Sequence, residues 1–442
     1  MPQHRRERRA CQVGVGSDWE RLLERLPAGW EERAHEQRAL VRRRGVGSAG
    51  ALLRLVLGVA VFGWGQRLVA GWAEAAGIAH LSGEAVGRRV RQARAWLGVE
   101  VGLLLGLRRQ RWAGRPGRTV RVRLVDATTI RGPGRQGSEW RAHAVVDLEQ
   151  GALCGLELTD THGAESLVRH PLEPGEIAVA DRAHARRTDF GDLLARGTDL
   201  VVRIGWRNLP LETPAGEPLD LIGWLQTPLG GPAERAVVVR TPTGPYPLRL
   251  LAMPLPPPQA EDARRRCRLA AKKKQRTIDA RSLLAAGFVL LVTTLDPTTW
   301  PPEDVRALYR CRWQIELLFK RLKSLWRLDQ LRARDADAAQ AVILAGILAA
   351  LLAGDVSRAS PIPLDAWLDD RDHPLSRWRW TALWRDAILH AIRGPLDLST
   401  LQRRLPALRR HLSAPPRRRP LQAADARLLL RDHASHQESR CA

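Results

Sequence analysis

The sequence predicts an α/β fold: a mixed sheet with flanking helices, a β-rich insertion, and helical regions at both ends. Three observations carry this. Segments of period-two alternation cluster between Val120 and Trp206 and return at Gly287–Leu295, with helical stretches between them. A Pro- and Gly-rich stretch, 207–285, interrupts that rhythm. Long stretches of helical period fill 18–107 and the region beyond Leu328. Apolar residues make up 44% of the 442, enough for a large core rather than a disordered chain.

In chain order, residues 1–17 read as a basic tail and 18–115 as a helical region. Within the latter, Gln66–Leu97 divides into a helix, a turn at Gly77 and a second helix capped by Ser82. Arg88, Arg89, Arg91 and Arg94 lie on the second helix. Two readings stay open: a helix-turn-helix whose arginines enter a major groove, or a helical hairpin with a solvated basic face. VRVRLVDATTI (Val120–Ile130) alternates as a strand, and Arg141–Asp160 reads as two strands around an EQG turn. A short helix is expected near Ala164. IAVADRAH (Ile177–His184) is a buried strand ending in Asp181, and Asp199–Trp206 is another; 116–206 is thus the first part of a core.

Residues 207–285 read as an inserted, mostly β module whose edge faces phosphates through Lys272, Lys273 and Lys274; the bland alternative is a solvated charged loop. Gly287–Leu295 resumes the core, which runs over 286–330. TTWPPEDVR then opens a long helix. Residues 331–442 read as helical to about Arg393, with a loose tail from APPRRRP onward.

Net charge is +24, and only five of the 71 cations are lysine. Codon bias chooses arginine over lysine but does not explain the surplus over acids. The surplus points to a polyanion, most simply nucleic acid, and away from small neutral substrates. Five scattered cysteines lack zinc spacing and fit a reducing cytoplasm. The basic start lacks the apolar stretch of a signal peptide. The longest apolar runs, Ala341–Ala353 and Ala51–Trp64, are shorter than a membrane span of roughly 20 residues, so no membrane is expected.

YRCRWQIELLFKRLKS (Tyr309–Ser324) holds one acid, Glu316, among five cations. On a helix, Tyr309, Arg312, Glu316, Lys320 and Lys323 share a stripe, beside an apolar stripe of Leu308, Cys311, Ile315, Leu318 and Leu322. Alone, Glu316 reads equally as a surface ion pair with Arg312 and Lys320. Asp126 and Asp181 each follow a buried strand, where an Asp alone is most often a turn residue. Together the three make a carboxylate cluster. Such oxygens suit hard Mg²⁺ ions, and two ions about 3.5–4 Å apart serve phosphoryl transfer.

The spacing Tyr309-x2-Arg312-x3-Glu316-x6-Lys323 resembles the YREK signature of the IS-four-type DDE transposases of bacterial insertion sequences. LVDATTI, with Asp126 and Thr128, resembles that family's first-Asp motif. IAVADRAH, with Asp181 and Arg182, resembles its second, and SEWRAH and THGAE resemble its sheet segments. The 135-residue separation of Asp181 and Glu316 resembles the β-rich insertion the family places there. The likeness covers about Val120–Leu331. One departure is that the usual Asp-Arg-Gly-Tyr is here Asp181-Arg182-Ala183-His184, so His184 stands as a DNA or water contact.

The resemblance implies an RNase H-like catalytic core, with Asp126, Asp181 and Glu316 as catalytic metal ligands. It implies Mg²⁺ or Mn²⁺, two ions per site, and cleavage and strand transfer at the inverted-repeat ends of an insertion sequence. Double-stranded DNA is the implied partner, held by a homodimer in the bacterial cytoplasm and nucleoid. Tyr309, Arg312, Lys320, Lys323, Arg182 and His184 would contact DNA. Phe288, in the strand before the catalytic helix, would stack on a flipped base, with Trp300 and Trp206 competing, though a strand Phe is more often core. Two other readings remain: a decayed or repurposed transposase that only binds DNA, and a nuclease that cuts without joining.

Overall fold

The computed structural model describes residues 17–113, 120–133, 139–333, 335–359, 376–394 and 411. The basic tail, much of the GRPGR linker and the GPGRQG turn, and the end from APPRRRP onward fall outside these residues.

Six helices come first: α1 Asp18–Leu23, α2 Trp30–Glu36, α3 Ala49–Phe62, α4 Gln66–Ala75, α5 Gly83–Gln92 and α6 Arg94–Ala113. The α4–α5 turn forms as expected, with Gly77 at φ 70° and the Ser82 hydroxyl accepting from the Ala85 N–H. Arg88 and Arg91 are exposed. Arg89 is not free to reach a groove: its guanidinium donates to the carbonyls of Arg42 and Arg44. It pins the exposed loop at Arg42–Arg44 to the second helix.

The sheet elements follow: β1 Arg121–Ile130, β2 Trp140–Asp147, β3 Ala152–Asp160, β4 Glu176–Ala180, α7 Arg187–Ala195 and β5 Asp199–Arg203. The helix expected near Ala164 is only a 3-10 turn, Leu167–Arg169. Next come α8 Leu221–Gln226, β6 Ala233–Thr241, β7 Gly244–Pro254, α9 Pro257–Lys273, α10 Ala280–Ala285 and β8 Phe288–Thr293. Then follow α11 Pro302–Arg310, α12 Trp313–Ser324, α13 Ala336–Arg358 and α14 Arg377–Arg393.

All eight strands form one sheet, ordered β3-β2-β1-β4-β5-β8-β7-β6. β1, β4 and β5 are parallel; β2, β3, β8, β7 and β6 join antiparallel to their neighbours. Alternation splits each strand between two cores. Ile177 and Val179 of β4 face a large core with α3, α6, α12 and α13, whereas Ala178 and Ala180 face a smaller one with α7 and α8. The result is three layers, helix–sheet–helix.

Two expectations change. Residues 207–285 hold no separate β module: β6 and β7 extend the main sheet, and three helices accompany them. RRRCRLAAKKK is helical because Pro257 sits at N1 and acid–Arg pairs (Glu261–Arg264, Asp262–Arg265, Asp262–Arg266) recur at helical spacing. Lys272, Lys273 and Lys274 therefore end an exposed helix rather than edge a sheet. Second, α13 is 23 residues long, enough by length and composition to cross a membrane, yet 67% of its most apolar window is buried inside the protein. It is the central helix of the large core, packed on α3 and α6.

Candidate active site

The site lies where the parallel strands end. β1 and β4 run in register to Val125 and Ala180, so Asp126 and Asp181 follow side by side. β4 stops there, and Asp181 caps a 3-10 turn, Arg182–His184. β1 continues to Ile130 against β2 alone. The gap this leaves at the carboxyl end of the strands is where ligands enter open α/β sheets. Parity fixes direction: Asp126 is even with Leu124, and Asp181 is odd with Ile177 and Val179, so both lie on the large-core face. α12 packs on β1 on that face through Ile315, Phe319 and Leu322, which brings Glu316 to the aspartates.

The expected single helix from Pro302 to Ser324 is broken. At Cys311–Arg312 the ladder tightens to bonds three residues apart, Cys311 to Leu308, Arg312 to Tyr309 and Ile315 to Arg312. The break lets Arg312 turn into the gap. Its Nη1 donates to Asp126 Oδ2 at 2.9 Å and its Nη2 to Glu316 Oε1. The guanidinium thus ties the first and third carboxylates together. Burial weakens its charged state, but Glu316, Tyr309 and Asp126 outweigh that and raise its pKa.

Electrostatics separates the aspartates. Burial pushes the Asp126 carboxyl up to about 6, aided by Asp181 and opposed by the Ala127 N–H and Arg312. Burial also pushes Asp181 upward. The His184 hydrogen bond, the Ala183 N–H and Arg312 more than reverse it, leaving Asp181 below the usual carboxylate range.

His184 is a correction. It is fully buried, so it is no DNA contact; its Nδ1 lies 3.1 Å from Asp181 Oδ1. An ionised carboxylate only accepts, so Nδ1 carries the proton and holds Asp181 in place. Glu165 was missed by the sequence reading. Its carboxylate, Asp181 and His184 offer ligand atoms within 4.8 Å of one another. The available signal was THGAE, which was read only as a sheet segment.

Around the carboxylates, Tyr309 is half-buried against the large core, and burial lowers the pKa of half-buried Lys323, with Asp329 opposing. Lys320 is exposed, its Nζ 5.7 Å from the Trp378 ring. Arg182 is exposed. Phe288 starts β8, which runs antiparallel to β5 and so begins at the edge where β5 ends; it is half-buried against the smaller core. Trp206 lies between the guanidiniums of Arg207 and Arg281, at 4.1 and 5.0 Å. Trp300 packs against the large core. Trp313, beside Arg312, is 56% exposed and was not singled out from the sequence.

Carboxylates among cations, at the carboxyl edge of parallel strands, are the setting in which metal-dependent enzymes transfer phosphoryl groups on a polyanion. Asp126, Asp181 and Glu316 offer only oxygen donors, the chemistry a hard divalent ion takes, and Arg312 places a cation between Asp126 and Glu316; the ligand atoms that lie within 4.8 Å of one another are those of Glu165, Asp181 and His184. Residues 118–352 match the family described as "Transposase DDE domain". The chain is 37% identical to the putative transposase InsL of insertion sequence element IS186A from Escherichia coli K12, over 78% of this chain and 95% of that protein. It is equally similar to the transposase of IS421 from Escherichia coli, and 26% identical over 252 residues to that of IS231F from Bacillus thuringiensis subsp. israelensis. The chain belongs to the DDE transposase family and is a DNA transposase. The DDE domain is RNase H-like, and its match spans all eight strands of the sheet. The family uses divalent metal.

Proposed function

We propose that this enzyme cuts and joins DNA at the inverted-repeat ends of an insertion sequence, with Asp126, Asp181 and Glu316 holding two Mg²⁺ or Mn²⁺ ions. The observation that carries the reading is that Arg312 bonds Asp126 and Glu316 while Asp181 lies beside Asp126 where the paired strands part. Ions bound there would activate water, then the freed 3′-hydroxyl, and stabilise the leaving oxygen. His184 keeps Asp181 ionised and oriented. Arg312 balances the charges of Asp126 and Glu316 and holds them in place. Tyr309, Lys320, Lys323 and Arg182 grip the strand, and exposed Trp313 supplies a stacking face beside it. Arg88 and the cations at Lys272–Lys274 bind flanking duplex through phosphates. A homodimer holds two ends at once, on the DNA of a bacterial cytoplasm.

The test is a cleavage and strand-transfer assay on end-bearing DNA. Asp126→Asn, Asp181→Asn and Glu316→Gln should each lower metal-dependent cleavage by at least about 10³-fold, in line with losses for groups acting as one unit. DNA binding should stay within a few-fold. Cleavage surviving in any variant removes that residue from the site. Cutting without joining would make the protein a nuclease instead.

A further inference from the structure

Behind the catalytic helix, away from the carboxylates, lies a half-open cavity of about 140 Å³. Arg321 of α12, Arg108 of α6, Arg358 of α13 and Arg377 of α14 line it, with Trp380 and Trp384. No carboxylate lines it among the described residues. Asp355 serves this corner from outside the lining, and Arg108 and Arg358 share it, at 3.0 and 3.7 Å.

Arg321 stands apart from the others. It is only 8% exposed, and no hydrogen bond or ion pair joins its guanidinium to a described residue. The charge that acts on it most is another cation, Arg377, and burial first, then Arg377, push its pKa down to about 10. It therefore remains charged at neutral pH. A second donor on the same lining, the indole Nε1–H of Trp384, is buried without an acceptor. Buried charges are paired in folded proteins because an unpaired one is strongly unfavourable. Among the described residues no anion faces Arg321.

We propose that this cavity is a second anion site, distinct from the carboxylate site, which takes a phosphoryl group with Arg321 as its central donor. A phosphoryl group presents several oxygens, enough to meet the planar guanidinium fork of Arg321 and the Trp384 Nε1–H at once. Arg321 follows Glu316 by five residues, so it projects from a different side of the same helix. An anion held there fastens α12 to α6, α13 and α14. The phosphoryl group can come from a free monoester or from a DNA strand.

The experiment measures thermal stabilisation of the full chain by inorganic phosphate, AMP and an unphosphorylated trinucleotide, at ionic strength matched with chloride. Wild type is compared with Arg321→Met and with Arg379→Met, a charge-matched control at an exposed position of α14. Phosphate should stabilise wild type and the control, with at least a ten-fold weaker apparent affinity in Arg321→Met. Stabilisation by phosphate and AMP alone identifies a free monoester as the ligand; stabilisation by the trinucleotide as well identifies a DNA strand. Equal responses in the two variants, or a wild-type response no greater than that to chloride, overturn the proposal. Should Arg321→Met fail to fold, hydrogen exchange on wild type decides: phosphate must slow the amides of 318–326 and 377–384, and unchanged exchange there overturns it.

Discussion

At the scale of single residues, the catalytic constellation is bound up with instability. Asp126 holds its proton up to about pH 6, mainly through burial. Its folded pKa lies above its unfolded value. Its contribution therefore favours the fold below about pH 4 and is lost as pH rises through 6. In metal-free protein, Asp126→Asn should be more stable than wild type at pH 8, by on the order of 2 kcal/mol, and no more stable at pH 3.5. Thermal melts at the two pH values check this; equal melts at pH 8 would refute it. Metal competes with the same proton, so Mn²⁺ affinity should fall below pH 6. His184 acts one step further out. His184→Phe keeps the buried ring but removes the bond to Asp181, and should weaken Mn²⁺ binding about 10–100-fold, as loss of supporting partners does. Titration followed by the Mn²⁺ electron-resonance signal reads this directly.

Among elements, β1 does more than carry Asp126. Its Arg123 is 1% exposed and bonds Glu176 Oε1 of β4 at 2.7 Å and Asp147 Oδ2 of β2. Arg109 of α6 joins the same Glu176. This charged web ties the strand that carries Asp126 to the strand that leads to Asp181. Arg123→Leu leaves two buried carboxylates short of a partner and should cost about 3–5 kcal/mol of stability, as breaking one side of a buried pair does. Urea unfolding measures it, and a loss below 1 kcal/mol would contradict the reading. Alternation in VRVRLV placed Arg123 on a strand correctly, but alternation assigns a face and not its exposure. Arg123 lies where the sheet is covered, so its charge is buried, whereas Arg240 on the edge strand β6 is exposed. The kink at Arg312 was likewise illegible. Helical spacing runs straight through residues 302–324, and the break depends on ladder geometry at two residues.

Over the whole molecule, the +24 charge governs DNA affinity more than any single contact does. With roughly 6–10 phosphate contacts, affinity should fall about 10³–10⁵-fold between 50 and 200 mM salt. Fluorescence anisotropy with end-bearing and random duplexes checks the slope, and near salt-independence would mean the surplus charge faces no DNA. Internal pairs such as Arg33 with Glu100, Arg108 with Asp355 and Arg123 with Glu176 cancel one cation against one acid each. They leave the +24 surplus intact, because 71 cations already stand against 47 acids in that figure.

The sequence by itself determined the α/β class, the strand that carries Asp126 and the one that leads to Asp181, and the YREK spacing that led to Glu316. These are local: side-chain alternation and residue spacing survive in one dimension. Tertiary structure alone decided that β6 and β7 complete the main sheet and that His184 supports a carboxylate instead of touching DNA. It also decided that Arg312 bridges two carboxylates and that Arg321 lies buried with no ion-pair partner among the described residues. Each depends on which faces meet across more than a hundred residues, and a sequence records a side chain's chemistry without its neighbours.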